Sequence, residues 1–130
     1  MALPEPGTVV VRHRVFTQDD FDRFAALSGD RNPIHVDPGY AAVTRFGRTV
    51  AHGMLLYSAI CGVVADAFPG GVQQDQSLVF PAPTYAGEQM TIRVTVLAAE
   101  GESRRLAVEI TDPAGAATCT GETSLRWDAA

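Results

Sequence analysis

The residues best suited to chemistry lie in two short segments of the chain. In the first, Asp30 and His35 stand five positions apart across a turn that contains Pro33. The second is the pair His52-Gly53, which opens a long apolar run. If that run is a helix, its first turn presents free N–H groups and partial positive charge. An acid, a base and a helix N-terminus are the groups required to add water across an α,β-unsaturated thioester, or to remove water in the reverse reaction. They predict an enzyme rather than a binding module.

Composition limits the class of protein. The 130 residues are 46% hydrophobic and 19% charged, which predicts one soluble globular domain over residues 1–130. A formal net charge of −5, with no Lys/Arg-rich run, argues against nucleic acid as a partner.

The sequence also bears on cellular location. The longest apolar run, Met54 to Ala65, is too short to cross a membrane, and the N-terminus does not resemble a signal peptide. Cys61 and Cys119 form no CxxC pair, so we expect two reduced thiols and a cytoplasmic location.

Helix signals surround the two chemical segments. Thr17 with Asp20 three residues later is typical of a helix N-terminus. We expect an ordered loop over residues 30–37 and a short helix that begins at Pro38. The apolar pattern of residues 53–68 predicts a long helix that is apolar on nearly every side. A helix of that kind is normally buried.

The remaining pattern is that of β-strands. Apolar residues occupy every second position at Ile92, Val94 and Val96, which predicts an antiparallel sheet with one face packed against another element. That element is most simply the long helix. The fold class is therefore α+β, with a curved antiparallel sheet around one central helix. The predicted strands cover residues 8–16, 76–80, 89–99, 104–111 and 117–127.

Several separated segments, in this order, resemble the MaoC-like, (R)-specific enoyl-CoA hydratase family (hydratase 2). They are residues 24–37, Phe46-Gly47, residues 51–55, residues 76–80, Pro83 and Gly87-Glu88. The resemblance covers nearly the whole chain. It implies the hot-dog fold, in which a sheet wraps round one long helix, and a homodimer formed by edge-to-edge pairing of sheets.

The resemblance also implies roles for three residues. Asp30 and His35 match the catalytic dyad of the family, and the amide of Gly53 matches the donor that stabilises the thioester oxyanion. Glycine at this position lets a thioester approach the backbone closely. The sequence leaves open which member of the dyad is the acid and which is the base.

Six further residues are candidates for binding substrate. Asn32 either supports the turn or touches the water, and Arg45 and Arg48 either bind phosphates of the substrate or form a solvated surface pair. His52 either orders the turn, contacts substrate or packs as a structural histidine. The complete set of substrate-binding candidates is Asn32, Arg45, Arg48, His52, Met54 and Phe80.

Met54 and Phe80 are placed in this set by their position. Met54 lies at the start of the long helix, where residues form either the core or the wall of an acyl pocket. Phe80 stands at an irregular strand end, next to Pro81, where it can shape the rim of a pocket.

The resemblance, together with the acid, base and helix N-terminus, implies (R)-specific hydration of trans-2-enoyl-CoA to (3R)-3-hydroxyacyl-CoA. One alternative is a (3R)-hydroxyacyl-ACP dehydratase, and a second is a non-catalytic acyl-thioester-binding subunit. A hot-dog thioesterase is disfavoured, because the long helix has only Asp66 as a carboxylate, near its far end. We expect no metal and no cofactor. CoA, or the pantetheine arm of a carrier protein, is here the part of the substrate to which the acyl group is attached.

Overall fold

The computed structural model describes residues 2–128, within which five strands form one antiparallel sheet in the order β1-β3-β4-β5-β2. Four helices accompany the sheet, and the longest follows the two chemical segments. In chain order the elements are β1 (Val9–Val15), α1 (Gln18–Ser28), α2 (Pro33–Val36), α3 (Pro38–Ala42), α4 (Gly53–Ala67), β2 (Val72–Val79), β3 (Gln89–Glu100), β4 (Ser103–Thr111) and β5 (Ala117–Arg126).

The core lies between the sheet and α4. Alternate residues of β3 and β4 are buried on one face of the sheet, which confirms the predicted alternation and the α+β class. Full burial of one aliphatic side chain contributes about 1.5–3 kcal/mol, so this layer fixes α4 on the sheet. The buried residues that form it include Ile92, Val94, Val96, Leu106, Val108 and Ile110 from the sheet and Leu56, Ile60 and Val64 from α4.

The end of α1 sets the position of the first chemical segment. Its beginning is a capping box, in which Thr17 Oγ1 accepts from the Asp20 N–H at 3.1 Å and Asp20 Oδ2 accepts from the Thr17 N–H at 2.9 Å. Its end is Gly29, at φ 82°, a left-handed conformation that glycine adopts without strain. The chain therefore leaves α1 at a fixed point, and Asp30 is the next residue.

A four-residue helix, α2, replaces the loop expected over residues 30–37. Asn32 Oδ1 accepts from the Ile34 N–H at 3.2 Å, and Pro33 occupies the first helical position. Such a short helix has too few residues for a periodic pattern, which is why the prediction was wrong here. It places His35 on a helical turn.

The edge strand β2 begins earlier than predicted, at Val72 instead of residue 76. Its register against β5 shifts between Gln73 and Asp75. A bulge of this kind interrupts the alternation of side chains and conceals the first half of the strand from pattern analysis.

The long helix α4 is buried along one side only, so the expectation of burial all round was wrong for the single chain. Leu56, Ile60 and Val64 are buried, but Met54 is 57% exposed and Ser58 and Gly62 are exposed. One sheet covers one side of a helix, and no other described element covers the opposite side. No described helix combines the length and apolar character needed to cross a membrane.

Candidate active site

Asp30, in the connection between α1 and α2, faces His35 on α2. His35 Nε2 lies 3.9 Å from Asp30 Oδ2, with side-chain exposures of 13% and 54%. The other carboxylate oxygen, Oδ1, accepts from the Asn32 N–H at 3.2 Å, which fixes the orientation of the carboxylate. A separation of 3.9 Å exceeds a direct hydrogen bond and suits two groups that share one water molecule.

The tautomer of His35 follows from its second nitrogen. Nδ1 lies 2.7 Å from the carbonyl oxygen of Val50. A carbonyl only accepts, so Nδ1 must carry the hydrogen. Neutral His35 therefore keeps its lone pair on Nε2, the nitrogen that faces Asp30. In this state the imidazole is an acceptor at the point where the two groups meet.

The hydrogen bonds that hold His35 in place involve residues that the sequence analysis did not identify. Gln18 Nε2 donates to the His35 carbonyl at 2.9 Å, and Gln18 Oε1 accepts from Thr49 Oγ1 at 2.6 Å. Val50 acts through its backbone carbonyl alone, which any residue type can provide. Gln18 lies 17 positions before His35 in the chain, and its residue type carries no signal of its own.

His52 lies directly behind the dyad and is only 2% exposed. Its ring stacks on the His35 ring at a centroid distance of 3.8 Å, and its Nε2 lies 3.0 Å from the Asp30 carbonyl oxygen. Phe24 touches the same ring edge-on at 5.0 Å. Burial lowers the pKa of His52, and the hydrogen bond to Asp30 only partly opposes that effect. The imidazole is thus held in its neutral form.

Asp30, His35 and His52 bring three possible metal-ligand atoms within 4.8 Å of one another. Their geometry does not suit a metal centre, however. Imidazole binds a metal through a lone pair in the plane of its ring, at about 2.0–2.1 Å for zinc. Here the two rings are stacked with 23° between their planes and 3.8 Å between their centroids, so their in-plane lone pairs lie in separate, nearly parallel planes and do not meet at one ion. The cluster is better suited to moving a proton than to holding a cation.

Gly53 is the first residue of α4, and its N–H has no acceptor within the helix. A Cβ atom at this position would lie 2.9 Å from Cε2 and Cζ of Phe80, closer than such atoms approach in folded proteins. A larger residue here would force the Phe80 ring or the helix start to move. The stack of His52 on His35 brings this helix start next to the dyad, since His52 immediately precedes Gly53.

A cavity of about 300 Å³ opens beside Gly53. Arg45 and Phe80, both predicted from the sequence to contact substrate, line it together with Gly53. The Arg45 guanidinium lies over the Phe46 ring, 4.6 Å from its centroid, which keeps the charge at the cavity wall. The structure therefore brings these candidates to one place.

Three other candidates are placed elsewhere. The Arg48 guanidinium stacks over Tyr85 at 3.9 Å and lies 3.7 Å from Glu88, so it is already engaged within the protein. Asn32 uses its side chain to cap α2. Met54 is on the exposed side of α4 and is not part of the cavity wall.

Comparison with known proteins shows which family the chain resembles. Residues 3–117 match the model of the MaoC like domain. The (R)-specific enoyl-CoA hydratase of Aeromonas caviae is 39% identical over 107 residues, which cover 79% of this chain and 80% of that protein. A mitochondrial 3-hydroxyacyl-[acyl-carrier-protein] dehydratase of Arabidopsis thaliana is 36% identical over 74% of this chain and 58% of its own length.

A solved structure extends the likeness to the whole fold. The (R)-hydratase from A. caviae involved in PHA biosynthesis superposes with a TM-score of 0.91 and 34% identity, covering 96% of this chain and 98% of that one. The fold is thus the predicted hot-dog arrangement. The chain belongs to the MaoC-like domain family. Like its hydratase and dehydratase relatives, it is a hydro-lyase.

Proposed function

We propose that the protein catalyses reversible (R)-specific hydration of a trans-2-enoyl-CoA to a (3R)-3-hydroxyacyl-CoA. One observation carries this proposal: an acceptor nitrogen of His35 faces the Asp30 carboxylate across 3.9 Å, directly beside the N-terminus of α4. This arrangement combines groups that can hold a water molecule with a group that can stabilise an oxyanion.

In the proposed reaction, one water molecule lies between His35 Nε2 and Asp30 Oδ2. Both atoms accept hydrogen bonds, so the two O–H groups of the water point to the protein and an oxygen lone pair is free for C3 of the substrate. As the C–O bond forms, the dyad accepts one proton from the water, and it then delivers that proton to C2, so that one water supplies both the OH on C3 and the hydrogen on C2. The dyad then returns to its starting state, and dehydration follows the same steps in reverse.

The negative charge that develops on the thioester oxygen requires a donor. The N–H of Gly53 points out of the first turn of α4, where the helix dipole adds partial positive charge. A single preorganised donor of this kind contributes about 2.7–4 kcal/mol to the transition state. The Phe80 ring packs on Gly53, beside this donor.

CoA is the carrier that we favour. Arg45 stands at the cavity wall, and within residues 2–128 no carboxylate forms an ion pair with it, so its charge is available for a substrate phosphate. The A. caviae relative is a hydratase of an enoyl-CoA. The similarity to an acyl-carrier-protein dehydratase supports the second candidate, a (3R)-hydroxyacyl-ACP dehydratase with the same chemistry.

We further propose that residues 1–130 act as one catalytic domain in a homodimer. The open side of α4 supports this proposal, as does the edge strand β2, where Val72 and Val79 are more than half exposed. Light scattering tests the dimer: a mass close to that of one 13.8 kDa chain would contradict it.

No redox cofactor or metal is needed for the proposed steps. A cytoplasmic location agrees with two cysteines that form no disulfide.

The first experiment follows the enoyl absorbance of crotonyl-CoA after purified protein is added, with Asp30→Asn as the control and chiral analysis of the product. We expect loss of absorbance, formation of (3R)-3-hydroxybutyryl-CoA and a kcat that is about 10²-fold lower in the variant. No turnover by the natural sequence with crotonyl-CoA and longer enoyl-CoA esters, but turnover of a crotonyl-loaded carrier protein, would favour the dehydratase. Inactivity on both carriers would contradict the proposal and leave the acyl-thioester-binding subunit.

A further inference from the structure

His52 touches both members of the dyad and also precedes the oxyanion donor. Its Nε2 lies 3.0 Å from the Asp30 carbonyl oxygen, and its ring lies 3.8 Å from the His35 ring. Its own carbonyl accepts from the N–H groups of Leu55 and Leu56, which begin the hydrogen bonding of α4. His52 thus connects three parts of the site: its buried side chain contacts the segment that carries Asp30 and the helix that carries His35, and its backbone carbonyl begins α4.

The hydrogen bond to Asp30 fixes the tautomer of His52. A carbonyl only accepts, so Nε2 carries the hydrogen and Nδ1 carries the lone pair. Nδ1 is buried and has no hydrogen-bond partner among the described residues. Protonation would place a donor there without an acceptor, and a charge next to His35, both in a buried position. Asp30 and His35 are the titratable groups that act on it. The site therefore requires a neutral imidazole.

We propose that His52 is a positioning residue for the hydration reaction. Through Nε2–H it holds the backbone of Asp30, and through its flat ring it sets the plane of His35, so that the two groups share one water. This role rests on the function proposed above. Of the alternatives that the sequence left open for His52, this role is that of ordering the turn and not of contacting substrate, because the imidazole is only 2% exposed.

Two variants separate the two contacts. His52→Gln keeps an N–H donor at the Nε2 position and loses the ring, whereas His52→Phe keeps the ring and loses the donor. Misplacement of a reacting group by about 1 Å can lower a rate about 10²-fold. We expect each folded variant to lose about 10–10²-fold in kcat on crotonyl-CoA while KM changes less than about twofold. Full kcat in one variant would overturn the positioning role of the contact which that variant has lost.

Wild-type kcat in both folded variants, or a raised KM with unchanged kcat, would overturn the proposal. The second of these results would return His52 to the role of a substrate contact. A lower melting temperature without a loss of kcat would also overturn it, since that is the signature of a purely structural histidine.

Nitrogen-15 NMR of the natural sequence tests the same proposal without any activity. The chain has three histidines, and His13→Asn assigns the third resonance set, because His13 lies on β1 away from the site. We expect His52 to show the neutral Nε2–H tautomer and His35 the Nδ1–H tautomer, and we expect the His35 signals to change in His52→Gln. A protonated or Nδ1–H His52 would overturn positioning even if hydration is confirmed. The expected tautomers in a protein that hydrates no thioester would instead count against the proposed function alone.

Discussion

The two halves of the proposed active site are held in different ways. In the acid–base half, directional hydrogen bonds set Asp30 and His35: the Asn32 N–H, the Val50 carbonyl and the Gln18 amide each reach one of them. In the oxyanion half, Gly53 is set by packing against Phe80 and by the geometry of a helix start.

The difference indicates what each half tolerates. Hydrogen bonds depend on the chemical identity of both partners, so the acid–base half should respond to small changes of polarity at constant volume. Packing depends on volume, so the oxyanion half should respond to one added methyl group without any change of polarity. Variants that change only one of these properties can sharpen the comparison or break it.

The largest effect is expected for His35→Asn in the acid–base half. The asparagine amide can still donate to the Val50 carbonyl, but it has no nitrogen at the position of Nε2. We expect kcat to fall about 10²–10⁴-fold, which is the usual contribution of a positioned acid–base group. Steady-state kinetics with crotonyl-CoA and a melting curve are the measurements. A fall in kcat that merely accompanies unfolding would not support the role of Nε2.

Gly53→Ala tests the oxyanion half, because it adds the volume of one methyl group and keeps the backbone N–H donor. The added Cβ would lie 2.9 Å from the Phe80 ring, so the ring or the helix start must move. We expect kcat to fall about 10–10²-fold, less than complete loss of the donor. The double variant Gly53→Ala/Phe80→Ala should recover part of this loss, because it removes the clash. If the second substitution gives no recovery, packing against Phe80 is not what sets this half.

Arg45 and Arg48 form a matched pair beside the oxyanion half. Arg45 lines the cavity, whereas Arg48 is engaged by Tyr85 and Glu88. We expect Arg45→Gln to raise KM for crotonyl-CoA up to about fivefold, since an exposed ion pair contributes up to about 1 kcal/mol. Arg48→Gln should change KM much less, and higher salt should reduce the difference between the two. Equal effects would mean that the cavity is not the route of the CoA phosphates.

The smallest effect concerns the pH dependence of stability. Burial lowers the pKa of His52 below the 6.5 of an unfolded chain. The unfolded state then binds the proton more readily, so this group lowers the free energy of unfolding as the pH falls below 6.5 towards the folded-state pKa. Urea titrations from pH 5 to 8 should show a smaller acid loss in His52→Phe than in the natural sequence. An identical loss in both proteins would assign the acid sensitivity to other groups.

The fold was predictable where one residue pattern covered a whole element. Ile92, Val94 and Val96 alternate without interruption, and the inner face of β3 is where that pattern placed it. The bulge after Gln73 broke the alternation in β2, and the four residues of α2 were too few for any pattern. The open side of α4 was missed because an apolar composition does not tell how many elements cover a helix.

The site was predictable where a residue type is itself the signal. Asp30, His35 and Gly53 stood out by chemistry and spacing, and the structure brings the first two within 3.9 Å. The Val50 carbonyl and the Gln18 side chain had no such signal, since one is backbone and the other is remote in sequence. The burial of His52 depends on tertiary packing against Phe24 and His35, which spacing alone does not report.

The central claim is that Asp30 and His35 act as one unit on one water molecule. A double-variant cycle tests it most directly: kcat for crotonyl-CoA hydration is measured for Asp30→Asn, for His35→Asn and for the two substitutions together. If the two groups share one water, removing the second should cost little once the first is gone, so the double variant should be about as slow as the slower single variant. Losses that multiply, each group contributing its full factor independently, would contradict the claim.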